Sequence, residues 1–392
     1  MGSGCRGEAP AASGARLRVM TYNIDDARTP ALKTRDDTRL QRLAARIQAR
    51  SPDVLLLNEI AYDRPDAPGG VPGAPPGRNA RRFVEHYLSR PQADTLEGLT
   101  YRTVMLPVNT GIPSGYDLNN DGRVRTERPP VPGRTERPTP AAEAYAQDAW
   151  GYGTFPGQYG MALLVRPPVD ILRDSIRTFR HFRWAQLPGA AEPIDSTSGE
   201  AWFTAEEWRH YRLSSTSHWD VPLRLSNGAL FHVLASHPAP PAFDGPARRN
   251  ARRNHDEIRF WSEYLRDAAY VEDDSSTGGG LHGGARFVLL GDLNADPRDP
   301  ALYRAAVRDL LAHPRVQSHS PPTAGPSARR AYPTLDSVAT TRWDKRVDYV
   351  LPSTGLRVDS SGVWRPVPRP APPVATDHFP VWMDLRVPAL DG

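Results

Sequence analysis

The stretch that most constrains this chain is residues 287–297, reading Phe-Val-Leu-Leu-Gly-Asp-Leu-Asn-Ala-Asp-Pro. Four consecutive apolar residues, bounded by glycines on one side and Pro297 on the other, predict a short buried strand. Such a strand presents a carboxylate, Asp292, and a carboxamide, Asn294, at one rigid end. Residues two apart on a strand face the same side, so both groups are expected to point one way.

The same arrangement recurs along the chain. Residues 17–22 alternate as a first strand and end at Asn23 and Asp25. Leu40, Leu43, Ala44 and Ile47 follow helical spacing, and Pro52 closes that helix. Residues 54–57 form a continuous apolar run, the mark of a strand covered on both faces, and lead into Asn58 and Glu59. A helix is expected over 81–89 and a strand over 101–106. Residues 159–165 and 169–179 read as two strands paired with each other. Strands over 221–225 and 229–235 follow, the second running into Ser236, His237 and Pro238. A long helix from about Pro246 carries Ile258, Trp261 and Leu265 on one face, and 301–311 reads as another helix. The late strands are 346–351, containing Asp348, and 379–387, which begins directly after Asp377 and His378. Residues 107–157 and 188–217 lack apolar periodicity and read as irregular.

Size and composition narrow the classes. A chain of 392 residues holds a sizeable core. Its 41 prolines and 31 glycines point to long ordered loops around a compact centre. No apolar run has the length of a membrane span. The net charge of +4, from 49 basic and 45 acidic residues, suits an anionic substrate without establishing a nucleic-acid partner. The lone Cys5 excludes an intrachain disulfide and leaves the redox compartment open. No signal peptide is written at the start. The small residues before Cys5 fit either the trimmed remnant of a lipoprotein signal, hence a secreted or lipid-anchored protein, or a tag scar with a flexible tail. The chemistry-bearing residues run from Asn23 to His378, so one domain over 16–388 is expected, preceded by a flexible leader over 1–15 and interrupted by a Pro-rich insertion at about 107–157. A monomer is expected.

Strands that alternate partly with helices and partly with one another fit an α/β fold of two packed sheets flanked by helices. Asn23 with Asp25, Glu59, His237, Asp292 with Asn294, and Asp377 with His378 all border strand ends, and Asp348 lies within a further strand. Singly, each has an ordinary turn or surface explanation. Together they describe loops gathered at one end of a sheet, where sites form.

These segments, taken in order, resemble the endonuclease/exonuclease/phosphatase superfamily. The resemblance rests on Thr-Tyr-Asn-Ile-Asp at 21–25, Pro-Asp-Val-Leu-Leu-Leu-Asn-Glu at 52–59, residues 159–165, Ser236-His237, Gly-Asp-Leu-Asn-Ala-Asp-Pro at 291–297, residues 346–351 and Asp377-His378. It implies a DNase I-like four-layer α/β/β/α sandwich of two mostly antiparallel sheets. It also implies metal-assisted hydrolysis of a phosphate ester by magnesium, or alternatively manganese or calcium. Glu59 is then the principal metal ligand, with Asp25, Asn23 and Asp377 near it. Asp292 handles the attacking water, Asn294 holds a phosphate oxygen or that water, and Asp348 orients His378 as general base or phosphate contact. His237 supplies a hydrogen bond or proton to the developing charge. The division of acid and base between the two histidines stays open. The leading expectation is a phosphodiesterase of nuclease type. The alternatives are a phosphatase of small phosphomonoesters or lipid headgroups and a non-catalytic binding module, and the complete set of catalytic groups argues against the latter.

Two signals stand apart. Asp117, Asn119 and Asp121, followed by Gly122, reproduce the first half of a calcium loop, but Arg128 stands where the bidentate Glu belongs. A structural calcium site completed by Asp148 competes there with a plain Asn/Asp/Gly turn. Arg249, Arg252 and Arg253 share a helix face, either as phosphate contacts or as solvated surface.

Overall fold

The computed structural model describes residues 14–366 and 374–389. Cys5 and almost all of the expected leader therefore lie outside the described residues.

Among the described residues, twelve strands make two sheets. They are β1 (Ala15–Ala27), β2 (Val54–Ile60), β3 (Arg102–Val104), β4 (Met161–Val165), β5 (Asp170–Ile171), β6 (Arg177–Thr178), β7 (His218–Arg224), β8 (Leu230–Ser236), β9 (Phe287–Asp292), β10 (Asp348–Pro352), β11 (Arg357–Val363) and β12 (Val381–Val387). The first sheet runs β11-β12-β1-β2-β4-β3 and the second β10-β9-β8-β7-β5, with β6 also on β7. All pairings are antiparallel except β1 with β2 and β8 with β9.

The apolar runs explain the layering. Val54 and Leu56 of β2 point inward, joining Val19, Leu163, Val221, Val233 and Leu290 in a core shared by the two sheets. Leu55 and Leu57, one residue out of phase, meet the first outer layer, where Leu40, Leu43 and Ile47 of the helix Thr38–Gln48 lie with Phe83 and Tyr87. On the other side Leu234 and Leu289 meet Ile258, Trp261 and Leu265 of the helix Arg249–Leu265, with Val307 and Leu310 beyond. A strand covered on both faces has no use for alternation, so four consecutive apolar residues are the correct signature. Each such leucine contributes about 1.5–3 kcal/mol of burial.

Three expectations change. Residues 159–165 and 169–179 do not pair with each other: β4 joins β2 and β3, whereas β5 and β6 join β7 in the other sheet. β11 was not foreseen, because its sequence, Arg-Val-Asp-Ser-Ser-Gly-Val, is polar, as suits an edge strand. The irregular regions 107–157 and 188–217 contain the helices Pro140–Gln147 and Ala205–His210, the first capped by Thr139 and the second opened by Thr204 and Glu207 in a capping box.

Strand direction positions the site. β1 and β2 run parallel and stop together, with Asn23 opposite Asn58. β8 and β9 run parallel and end at Ser236 and Asp292. β10 starts at Asp348, opposite Asp292, and His378 lies just ahead of β12. One edge of the sandwich collects them all.

Candidate active site

Beyond Asn23 the β1–β2 register shifts, and Asp25, Asp26 and Glu59 adopt φ of 53°, 51° and 63°. A bulge re-aims side chains at a strand end, and left-handed backbone at non-glycine residues costs of order 1–3 kcal/mol each. Hydrogen bonds hold it. The Asp26 N–H donates to Glu59 Oε2 at 3.1 Å. Asn23 Nδ2 donates to Glu59 Oε1 at 2.9 Å and to Asp292 Oδ2 at 3.0 Å. One buried carboxamide thus ties a carboxylate of the first sheet to one of the second.

Gly291 precedes Asp292 for a steric reason. A Cβ there would sit 2.1 Å from the Ser236 carbonyl oxygen of the neighbouring strand. The Asp292 N–H donates across the sheets to Asn58 Oδ1 at 3.3 Å. His378 Nδ1 lies 2.8 Å from Asp348 Oδ2, and its Nε2 lies 3.6 Å from Asp292 Oδ2 and 3.8 Å from Asp377 Oδ1. His237 Nε2 approaches the same Asp292 oxygen at 3.8 Å. Asp292 therefore stands between two imidazoles. Thr376 Oγ1 donates to the Asn23 carbonyl at 3.0 Å and accepts from the His378 N–H at 3.2 Å, which locks the histidine loop onto β1. Trp343 closes on the His378 ring edge-to-face, centroids 5.2 Å apart.

The charges follow from burial and neighbours. Burial raises the Glu59 carboxyl to about 8, against the stabilising bond from Asn23. Burial pushes His378 down, but Asp348 and Asp292 outweigh it and bring it to about 10, an imidazolium at neutral pH. Asp348 is raised to about 6 by burial, a rise held back by His378, and is a carboxylate at neutral pH. His237 is lowered, because burial exceeds the attraction of Asp292. Asp377 is raised, chiefly by burial.

The residues singled out in the sequence divide clearly. Asn23, Glu59, Asp292, Asp348, His378 and His237 are brought together, with half-exposed Asp377 beside His378. Asp25 borders them and pairs with Arg134 of the Pro-rich segment at 3.0 Å. Asn294 departs from expectation. β9 ends at Asp292, and Asn294 has φ 51°, so strand alternation does not orient it. Its Nδ2 donates to the Pro238 carbonyl at 3.0 Å, joining the β9 loop to the His237 loop.

Asp117, Asn119 and Asp121 lie elsewhere, accepting N–H bonds from Asp121, Gly122 and Arg123 of their own loop. The Arg125 guanidinium sits 2.7 Å from Asp121 and 3.7 Å from Asp148. Arg253 is buried, its guanidinium donating to Leu213, Trp150 and Arg212 carbonyls and to Tyr211, so it faces inward rather than toward a solvated phosphate. Arg249 bonds the Leu118 carbonyl and lies over Trp202. Arg252 is partly buried.

Other polar groups were overlooked. Asn254 Nδ2 donates to the Ala239 and Leu293 carbonyls at 2.8 and 2.9 Å. Glu257 accepts from the Ser215 N–H, the Ser215 hydroxyl and the Ala239 N–H at 2.6, 2.8 and 2.7 Å. The two residues pin the loops bearing His237 and Asp292 to the helix. A signal existed: Asn254 falls four residues before Ile258 and Glu257 four before Trp261, on the apolar face.

Donor atoms of Asp292, Asp348 and His378 lie within 4.8 Å of one another, a group that could hold a metal ion only where His378 gives up its proton. A four-layer sandwich with carboxylates, amides and imidazoles at a shared edge of both sheets defines the DNase I-like class. The chain belongs to the endonuclease/exonuclease/phosphatase family, whose model matches residues 20–378, and whose members are generally phosphoric ester hydrolases. Among solved structures it is similar to an endonuclease/exonuclease/phosphatase from Beutenbergia cavernae, with 19% identity, TM-score 0.51, and 95% of this chain and 72% of that one covered. The human Nocturnin catalytic domain with bound sulfate matches at 14% identity and TM-score 0.48, covering 94% and 93%. A humanized D. rerio TDP2 matches at 13% and 0.45, covering 95% and 99%. At these identities the likeness concerns the fold. No curated protein matches.

Proposed function

We propose that this protein is a divalent-metal-dependent phosphodiesterase of nuclease type. The observation that carries the reading is the linked set Asp348–His378–Asp292–Asn23–Glu59, in which a charged imidazole and two carboxylates from different sheets face one space. A phosphodiester anion repels incoming hydroxide, so its hydrolysis needs fixed positive charge, a held water and a stabilised leaving oxygen.

The residues fit a hard cation. Glu59 receives only neutral donors, the Asn23 amide and the Asp26 N–H, and makes no ion pair among the described residues. Burial holds its carboxyl up near 8, the condition a cation relieves. Glu59 would hold the metal with Asp25, Asn23 and Asp377 beside it, and magnesium is the ion of first choice, with manganese or calcium as alternatives. When bound, the ion neutralises phosphate charge and polarises the phosphorus–oxygen bond.

The chain's own groups do the rest. His378, charged and oriented by Asp348, binds a non-bridging phosphate oxygen through Nε2. Asp292 orients the attacking water and accepts its proton. Neutral His237 donates a hydrogen bond from Nε2 to the developing negative charge. Asn294 acts through the Pro238 carbonyl to hold the His237 loop.

The test is hydrolysis of duplex DNA, a bis-aryl phosphodiester and a phosphomonoester under magnesium, manganese and calcium, each with an EDTA control. Diester cleavage abolished by EDTA is expected. Activity confined to the monoester would overturn the reading in favour of a phosphatase.

A further inference from the structure

Several arginines here have carboxylate partners: Arg28 with Asp26, Arg82 with Asp63, Arg177 with Asp273 and Arg298 with Asp296. Arg180 and Arg212 do not. Both are partly buried, yet neither guanidinium makes an ion pair among the described residues. Arg212 donates to Asn109 Oδ1 at 2.6 Å and lies over the Trp150 indole, 4.8 Å from its centroid. The Arg180 guanidinium makes no hydrogen bond within the described protein. Asp274, the acid of this corner, is already engaged with the Thr178 hydroxyl and the N–H groups of His181 and Arg180. Nearby Arg64 is neutralised by Asp66 through two bonds of 2.8 and 3.0 Å.

The corner is built rather than incidental. Asn109 is fully buried, and its Nδ2 donates to the Arg180 and Ser214 carbonyls at 2.6 and 2.8 Å while its Oδ1 receives Arg212. One side chain therefore holds the Arg180 backbone and the Arg212 guanidinium. Tyr116 and Tyr211 meet the Trp150 ring edge-on. The corner also adjoins the catalytic edge. Thr178 pairs with Trp219, and Trp219 with Ala235, so Arg180 emerges at the end of the sheet that carries His237. Arg212 lies three residues before Ser215, whose hydroxyl donates to the His237 carbonyl at 3.4 Å. On the other side Thr110 accepts from the Gly157 N–H, and Gly157 accepts from the Tyr62 N–H, three residues past Glu59.

The charge of Arg180 disfavours that of Arg212, and Asp274 offsets the repulsion only in part. Burial, and then Arg180, lower Arg212 to about 10, and burial lowers Arg180 as well. A dianionic group with several oxygens relieves that repulsion and matches the planar fork of a guanidinium.

We propose that Arg180 and Arg212 form a subsite for a second phosphate group of the substrate, beyond the phosphate that is hydrolysed. This rests on the phosphoesterase reading. The second phosphate is supplied either by the neighbouring phosphate of an oligonucleotide or by another phosphate on a small ester.

The first experiment does not depend on turnover. Inorganic phosphate is titrated calorimetrically at low salt in EDTA, with wild type, R180Q and R212K. About tenfold weaker binding by each variant is expected. R180Q is decisive, because its guanidinium supports no contact of the fold; equal affinity in wild type and R180Q would overturn the subsite. The second experiment compares kcat/KM for a dinucleotide with and without a 5′-phosphate, and for a glycerol phosphodiester with and without a second phosphate. A preference of about tenfold for the extra phosphate in one pair identifies the source, and it should fall toward one in R180Q. No preference in either pair refutes the subsite even where diesters are cleaved. Absence of all hydrolysis would instead strike the phosphoesterase reading, with the phosphate titration still judging the arginines.

Discussion

His378 Nδ1 stands 2.8 Å from Asp348 Oδ2, both groups buried, in a bond that joins the loop before β12 to the start of β10. The Asp348 carboxylate is the main reason the imidazole is held near 10 although burial alone would lower it. Asp348→Asn keeps the shape and removes the charge. Wild-type His378 stays protonated through neutral pH; in the variant it loses its proton at lower pH. The alkaline limb of the kcat profile should therefore move down, and kcat at pH 7.5 should fall by roughly a hundredfold or more. Steady-state kinetics across pH 5.5–10 measure both, and an unmoved profile would show that Asp348 does not set the charge on His378.

Metal affinity should depend on pH through Glu59. Its carboxyl titrates near 8 in the metal-free protein, so below that value a cation must displace a proton. Apparent affinity is expected to rise about tenfold per pH unit up to about pH 8 and then level off. Calorimetry in two buffers of different ionisation enthalpy reads the released proton directly. Glu59→Gln should abolish both the pH dependence and most of the binding. Removing Arg134, the partner of Asp25, should tighten binding by about two- to fivefold, in proportion to a partly exposed ion pair.

Glu257 is buried, and it holds Ser215 and Ala239 on either side of His237. Glu257→Gln is close to isosteric but presents a donor to the Ala239 N–H or to Ser215. The displaced loop should cost about tenfold in kcat with KM little changed. Kinetics paired with thermal unfolding separate this from a folding defect, which would lower the active fraction and leave per-site kcat intact.

His218 supplies a stability prediction. It is buried, 2.5 Å from the Ser214 hydroxyl, and burial lowers its pKa to about 4 from an ordinary 6.5. A histidine whose folded pKa lies below its unfolded value stabilises the fold above pH 6.5, and that contribution is lost as pH falls toward 4. The loss amounts to at most about 3 kcal/mol. Urea unfolding at pH 7 and pH 4.5 should show a smaller difference in His218→Gln than in wild type. An equal difference would place the acid sensitivity elsewhere.

Much of the fold was legible because its signals are local. The run at 287–290 and the run at 54–57 are apolar throughout since both faces of those strands are covered, and polar residues appear where each strand leaves the core. β11 carried no such signal, being a polar edge strand. The separation of β4 from β5 and β6 was not legible either, because short strands contain nothing that names their partner. The orientation of Asn294 was not legible for a related reason: period-two alternation ends with the strand, and the chain turns left-handed two residues later.

The sequence by itself determined which residue types stand at the strand ends, and therefore the carboxylates and imidazoles available for chemistry. Only the tertiary structure decided how they are charged and what holds them. Asn23 bridging Glu59 and Asp292, Asp348 holding His378 as an imidazolium, and Asn109 joining the Arg180 carbonyl to the Arg212 guanidinium all join residues distant in the chain. The physical reason is that hydrogen-bond geometry and desolvation depend on distances in space, and those are settled when two sheets close over one core.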